Sequence, residues 1–161
     1  MSIPAVAKSN HGKILEGLAE KIKELIDDPS NELPPDTEIV IRKYPRSLPS
    51  DKTYPLIMLT YAGDEVQDLN FEDSILVSYS CLIIILTAQD ADKAGGPTVD
   101  VLPYIRQQVR FACYGNIPQI PFVDWDYIPN PTFDPSQLAN NCDYSALGFV
   151  YKVTESRRGT I

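Results

Sequence analysis

Two aspartates flank the only tryptophan of the chain, in the order Asp124, Trp125, Asp126. A carboxylate pair can supply an acid and a base, as in glycoside hydrolysis, so this is the first place to look for chemistry. Alternation along a strand points residues i and i+2 the same way. Both acids therefore fall on one solvent side of a short strand, with Trp125 turned inward, and two acids without a pocket visible in the sequence read as a solvated face. The single histidine, His11, stands at the start of a helix with no serine or cysteine nucleophile marked beside it, which leaves a catalytic triad unsupported. One histidine in the whole chain also leaves little for metal or proton-transfer chemistry.

The stretch QDADKAGG (Gln89 to Gly96) places Asp90, Asp92 and Gly95 at positions one, three and six of a calcium-binding loop. Position five is then Ala94, and position twelve, which calls for a bidentate glutamate, is Val101. The loop also joins a strand to a helix, not two helices. AGGP puts two glycines ahead of a helix, where anions can bind. It lacks both GxGxxG and GxxxxGK[ST], and Pro97 removes a backbone donor, so a plain turn is the better reading. Cys81, Cys113 and Cys142 are widely spaced, with no CxxC and no neighbouring histidine, which denies zinc its ligand spacing. Cys81 and Cys113 lie in apolar runs and read as buried free thiols in a reducing compartment. No catalytic residue, metal ligand or cofactor is expected, and the chain does not read as an enzyme.

The elements that must position any site follow from periodicity. Ser9 or Asn10 caps a helix running to about Asp27, where Ile14, Leu15, Leu18, Ile22, Leu25 and Ile26 recur at three- and four-residue steps. Gly17 weakens it without abolishing it, and Pro29 and Pro34-Pro35 end it. EIVIRKY (Glu38 to Tyr44) reads as a strand, and PLIMLTY (Pro55 to Tyr61) as a second with proline at its tolerated first position. ILVSYSCLIIILT (Ile75 to Thr87) is a third, single-sided at first and buried on both faces in its later half. With the acidic connection between them, the second and third strands form one long antiparallel hairpin.

Thr98 caps a second helix running to about Tyr114, with Asp100 suited to its dipole and Gly115 ending it. Prolines dominate Asn116 to Asp143, which predicts extended chain with an edge strand around Phe122 to Tyr127. Leu147, Phe149, Tyr151 and Val153 alternate in a last strand, Ala146 to Ser156. The expected fold is α+β, in the order α-β-β-β-α-(β)-β, a mainly antiparallel sheet with two principal helices packed on it. The chain reads as one domain over 1–161, with an N-terminal arm at 1–9 and a Pro-rich extended segment at 116–143.

A chain of 161 residues buries roughly 70% of its unfolded surface and needs neither metal nor disulfide for a core. Its formal net charge of −8 argues against a general nucleic-acid binder, which needs a basic surface for phosphate. The N-terminus shows no apolar signal segment, and CLIIIL (Cys81 to Leu86) is too short to span a bilayer as a helix, so a soluble, intracellular protein is expected. The sequon-like Asn130-Pro131-Thr132 is disqualified by its central proline.

Surface chemistry is concentrated in two neighbouring places. DEVQDLNFED (Asp64 to Asp73) carries five acids, Asp64, Glu65, Asp68, Glu72 and Asp73, and no base. It is either a solvated hairpin tip or an acidic projection that meets a basic partner or faces a DNA passage. The preceding KYPRSLPSDKTY combines Arg46 and Lys52 with Tyr44 and Tyr54, and Tyr61 follows; these types are common at protein interfaces.

The helix at Ile14 to Ile26, the strand followed by YPRSLP, the two apolar strands, the helix ending RQQVRFACYG and the last strand together resemble the tail terminator (tail-completion) proteins of long-tailed bacteriophages. The resemblance covers about residues 10 to 156 and lies in architecture. It implies a small subunit, made in the host cytoplasm and built into the virion, that assembles into a homo-oligomeric, six-membered ring on the head-proximal end of the tail. Such a ring stops growth of the tail tube protein, presents a surface to the head-tail connector protein, and lets DNA pass its lumen unread. No membrane is involved. Ring closure needs heterologous contacts, for which Arg46, Lys52, Tyr54, Asp64, Glu65, Asp68, Glu72 and Asp73 are the candidate interface residues. The Pro-rich segment departs from the smaller members of that family. Two alternatives remain: another head-tail connector such as a head-closure or neck protein, and a small enzyme or ligand-binding domain built around Asp124, Asp126 and His11.

Overall fold

A computed structural model of the chain describes residues 9–30, 33, 37–42, 55–71, 74–88, 101–114, 117, 124–132 and 142–156. The first helix, α1 (Asn10–Asp27), starts as expected: Ser9 is the N-cap, and its Oγ accepts the Gly12 N–H at 3.0 Å, satisfying one of the orphan donors of the first turn. Its apolar stripe puts Ile14, Leu15, Leu18 and Ile22 at zero exposure. Each such side chain contributes about 1.5–3 kcal/mol through area removed from water. At the other end the Asp28 N–H reaches the Leu25 carbonyl.

Five strands follow in one sheet: β1 (Glu38–Arg42), β2 (Leu56–Phe71), β3 (Ser74–Ala88), β4 (Asp124–Ile128) and β5 (Cys142–Ser156), with helix α2 (Val101–Cys113) between β3 and β4. Their spatial order is β1-β2-β3-β5-β4. All neighbours are antiparallel except β1 and β2, which run parallel from Glu38 opposite Leu56 to Arg42 opposite Thr60. A tight hairpin would impose antiparallel pairing; the stretch 43–55 has the dozen or so residues a parallel crossover needs. The expected α+β fold is observed, and the edge strand foreseen near Phe122 to Tyr127 is β4. The last strand begins at Cys142, ahead of the Ala146 expected, because the β3 ladder continues to Ala88 opposite Cys142 and gives those backbone groups partners. Residues of both predicted features at the α2 entrance, Thr98 and Asp100, lie outside the described residues, as do Gly115 and the loop Gln89 to Gly96.

Both helices pack on one face of the sheet. Ile57, Ile83, Leu147 and Phe149 from the strands meet Leu15 and Leu18 of α1 and Ile105 and Val109 of α2 in one core. The opposite face carries a second buried set, Leu56, Met58, Leu82, Ile84 and Leu86. The later half of β3 is therefore buried on both sides, as its unbroken apolar run predicts. Gly148 sits where β4 approaches closest: a Cβ there would lie 3.0 Å from the Ile128 Cβ.

The acidic run behaves differently from expectation. From Asp64 to Phe71 it is not a connection between strands but the outer part of β2; Glu72 and Asp73 lie outside the described residues. Strand structure persists there because β3 supplies hydrogen-bond partners: Asp64 stands opposite Tyr79, Glu65 opposite Ser78 and Val66 opposite Val77. Between Tyr61, paired with Cys81, and Asp64, paired with Tyr79, β2 advances three residues and β3 two, so one residue is extra. This bulge holds Gly63 at φ +98°, a conformation L side chains rarely adopt. The extra residue reverses the alternation, so Asp64 falls on the helix side, where an unbroken strand would have put it with Leu56, Met58 and Thr60.

A Cβ at Gly63 would meet nothing within 4 Å, so substitution there reports backbone strain alone. We expect Gly63→Ala to lower stability by about 1–2 kcal/mol, read as a lower denaturant midpoint with an unchanged slope.

Candidate interaction surface: the acidic arm and its root

Beyond the bulge, three strand ends form an arm. β2 from Asp64, β3 up to Tyr79 and β5 from Tyr151 stay paired, while β1 has ended opposite Thr60 and β4 ends opposite Lys152. The arm exposes Asp64, Glu65 and Val66, the last at 56%. Of the remaining interface candidates, Asp68 belongs to β2 but its side chain is outside the described set. Glu72, Asp73, Arg46, Lys52 and Tyr54 also lie outside the described residues. Asp64 and Glu65 are thus exposed, and they stand on a strand where the sequence suggested a connection.

The root of the arm is a polar cluster against the first turn of α1. His11 is only 8% exposed. Its ring stands edge-on to Tyr61 at 4.6 Å between centroids and tilted against Tyr79 at 5.2 Å. Nε2 lies 2.8 Å from the Ser80 carbonyl oxygen, an acceptor, so Nε2 carries the proton. Ser80 faces the bulge, where the β2 ladder pairs Cys81 and Tyr79 and passes over it; the histidine takes the place of the missing ladder partner. Beside it, the Tyr79 hydroxyl and the Asn10 amide both donate to Oε1 of Glu155 at the end of β5. Burial pushes the Tyr79 phenol well above its ordinary range, and the bond to Glu155 adds to this. Burial likewise holds His11 below the usual histidine value, opposed by its bond to Ser80 and by the charge of Asp64. His11 is thus a pin joining α1 to the arm. Its burial, though not its partner, was legible in the sequence, since His11, Leu15, Leu18 and Ile22 lie on one helical stripe.

Asp124 and Asp126 are both exposed on β4, with Trp125 half-buried between them, as alternation predicts. Asp124 is opposite Lys152 and Trp125 opposite Tyr151, whose side chain belongs to the helix-side core. The two acids therefore point from the other face, and Asp126 makes a loose pair with Lys152 at 3.5 Å. His11 is on the helix side. Asp124, Asp126 and His11 do not converge, so the acid-base set weighed from the sequence does not form from these three residues.

The opposite flank of the molecule is aromatic. Tyr114 lies 5.0 Å from Trp125 and edge-on to Phe111, and Tyr127 packs on Phe149 at 5.2 Å. Arg106 clamps this flank: Nη1 donates to Ser145 Oγ and the Ala146 carbonyl, both at 2.6 Å, and Nη2 to Tyr127 Oη and the Pro129 carbonyl. A shallow cleft of about 350 Å³ opens beside it. In the core, Tyr151 Oη donates to the Cys113 carbonyl at 3.1 Å. Cys81 and Cys113 are buried free thiols, and burial pushes the Cys113 thiol up to about 12. Neither is a nucleophile at neutral pH. Among the described residues no group of three or more His, Cys, Asp or Glu is placed to hold a metal ion, and no helix is long and apolar enough to cross a membrane.

No protein-family model matches the chain, and no curated protein matches it in sequence.

Because folded His11 resists protonation while the unfolded chain takes up a proton near pH 6.5, its contribution to stability is complete above that value. It is lost as pH falls through 6.5 toward the lowered folded value. His11→Gln, which keeps a donor for Ser80 but cannot titrate, should flatten that fall when urea midpoints are compared at pH 7.5 and 5.0.

Proposed function

We propose that the chain is a structural virion subunit, a tail terminator of a long-tailed bacteriophage. Copies of it close into a ring, expected to be hexameric, that caps the tail tube and offers its other side to the head connector. The observation that supports this best is the acidic arm. A three-stranded extension lies past the end of β1 and, from Val66 onward, past the start of β4; it is pinned at its root by His11 and Glu155, and shows solvent two acids and a bare valine. An arm with a fixed root can present a surface to a neighbour, where a free hairpin tip would have to be ordered on contact. Its negative charge also suits a lumen that DNA traverses, since phosphate is repelled instead of held.

The overall order α-β-β-β-α-β-β agrees with the resemblance. The two faces of the arm differ, Asp64 and Val66 on the helix side and Glu65 on the other, which is what a heterologous contact between different patches requires.

The test is the native mass of the full chain, alone and after mixing with the tail tube protein of the same phage. A discrete ring, or tubes capped at one fixed length, is the expected result. A monomer that ignores tubes overturns the proposal. A ring that leaves tube growth unchecked but binds the portal side would assign the chain to head closure instead.

A further inference from the structure

We infer that the outer face of α2, with the β4 edge beside it, receives the acidic arm of a second copy of this chain. The inference rests on the ring reading and names the two patches that would meet.

Charge is the first argument. The α2 sequence VLPYIRQQVRFAC contains Arg106 and Arg110 and no acid, on a chain whose net charge is −8. The arm strand from Asp64 to Phe71 holds Asp64, Glu65 and Asp68 and no base. Among the described residues the four acceptors of Arg106 are all neutral oxygens, so none of them neutralises its charge. A carboxylate brought to this face gains a favourable field and displaces no existing ion pair of Arg106.

Composition is the second. Phe111 is 54% exposed on α2, and Tyr114, just past the helix end and edge-on to it, is 37% exposed. The Arg110 guanidinium lies 5.9 Å from the Phe111 ring, and Tyr114 rests on Trp125. Arginine, tyrosine and tryptophan side chains already held by their neighbours are the types that dominate binding energy at interfaces. Val66, exposed on the arm between acids, supplies an apolar counterpart for Phe111.

Placement is the third. The sheet order puts β2 toward one flank and β4 at the other. In the arm β2 runs past the end of β1, so among the described residues the acidic strand is itself the edge. The helix α2 leans on β3 and β5, and its Tyr114 meets β4. One patch lies on each flank; the α2 face carries arginines and no acid, and the exposed acids of β4, Asp124 and Asp126, point from the opposite face of the sheet. Two copies docking through the same patch would oppose like charges; docking arm to helix pairs unlike ones and repeats from copy to copy, the heterologous geometry that closes into rings.

The experiment compares native masses of the full chain carrying Arg110→Glu, Glu65→Lys, both together, Phe111→Ser, or Lys23→Glu as a charge reversal elsewhere, alone and with tail tubes. Circular dichroism checks that each is folded, and Phe111→Ser, at an exposed position, serves should Arg110→Glu fail to fold. Wild type and Lys23→Glu should assemble alike. Arg110→Glu, Glu65→Lys and Phe111→Ser should each weaken assembly about tenfold or more, and the Arg110→Glu/Glu65→Lys pair should regain much of the loss. Wild-type rings with Arg110→Glu and Phe111→Ser assembling equally well would overturn this inference and leave the ring reading standing. A wild-type chain that stays monomeric with and without tubes removes both.

Discussion

The structure depends on β3. All of its fifteen residues, Ser74 to Ala88, pair with β5 on one side, and most pair with β2 on the other. From Cys81 to Thr87 its side chains are buried on both faces. A strand with no free edge and no free face over half its length leaves little choice of register, because a one-residue slip would exchange the two sets of side chains between two differently shaped cores. Ile83 and Ile85 meet the helices while Leu82, Ile84 and Leu86 pack with Leu56 and Met58 on the opposite face. With that register set, the position of every other element is constrained. β5 must place Leu147, Phe149 and Tyr151 under α2, and β2 must place Ile57 and Leu59 under α1.

The same strand explains how an acidic, exposed segment is kept in order. The outer half of β2 has little apolar surface to bury, and on its own it would not repay the entropy of ordering. It is carried by the ladder to β3, which is held in turn by β5. The bulge at Gly63 is where the two halves of β2 are made to serve different purposes. Inside it the alternation supplies two cores; outside it the alternation is reset, and Asp64 comes round to the side of His11. The Ser80 carbonyl left facing the bulge is answered by the imidazole, and Glu155 collects the Tyr79 and Asn10 donors. Satisfying these groups ties the first turn of α1 to the arm, since buried polar atoms without partners are costly.

Charge is distributed unevenly across the sheet. Acids collect on the arm, and the α2 flank has arginines and aromatics. Neither distribution is required by the core, to which Glu65, Arg110 and Phe111 do not belong. Surface features that packing does not demand are the ones open to selection for contacts, and that is why the functional reading rests on them.

The amino-acid order by itself determined the elements whose signal is local. The Ser9 cap and the stripe of Ile14, Leu15, Leu18 and Ile22 specify α1 because hydrogen bonding and burial both repeat at the helical period. The apolar run of β3 announces two-sided burial, and the alternation around Trp125 announces the outward turn of Asp124 and Asp126. Tertiary structure alone decided what depends on partners distant in the chain. The acids of 64–73 have low strand propensity and read as a tip; only the ladder from β3 makes Asp64, Glu65 and Asp68 part of a strand. A glycine in an alternating pattern does not reveal whether it flips the faces, because the count on the opposite strand decides that. The parallel pairing of β1 depends on a crossover path that no local pattern encodes. The role of His11 was hidden for the same reason: its acceptor is a backbone carbonyl 69 residues away, exposed to it by a bulge in a third segment.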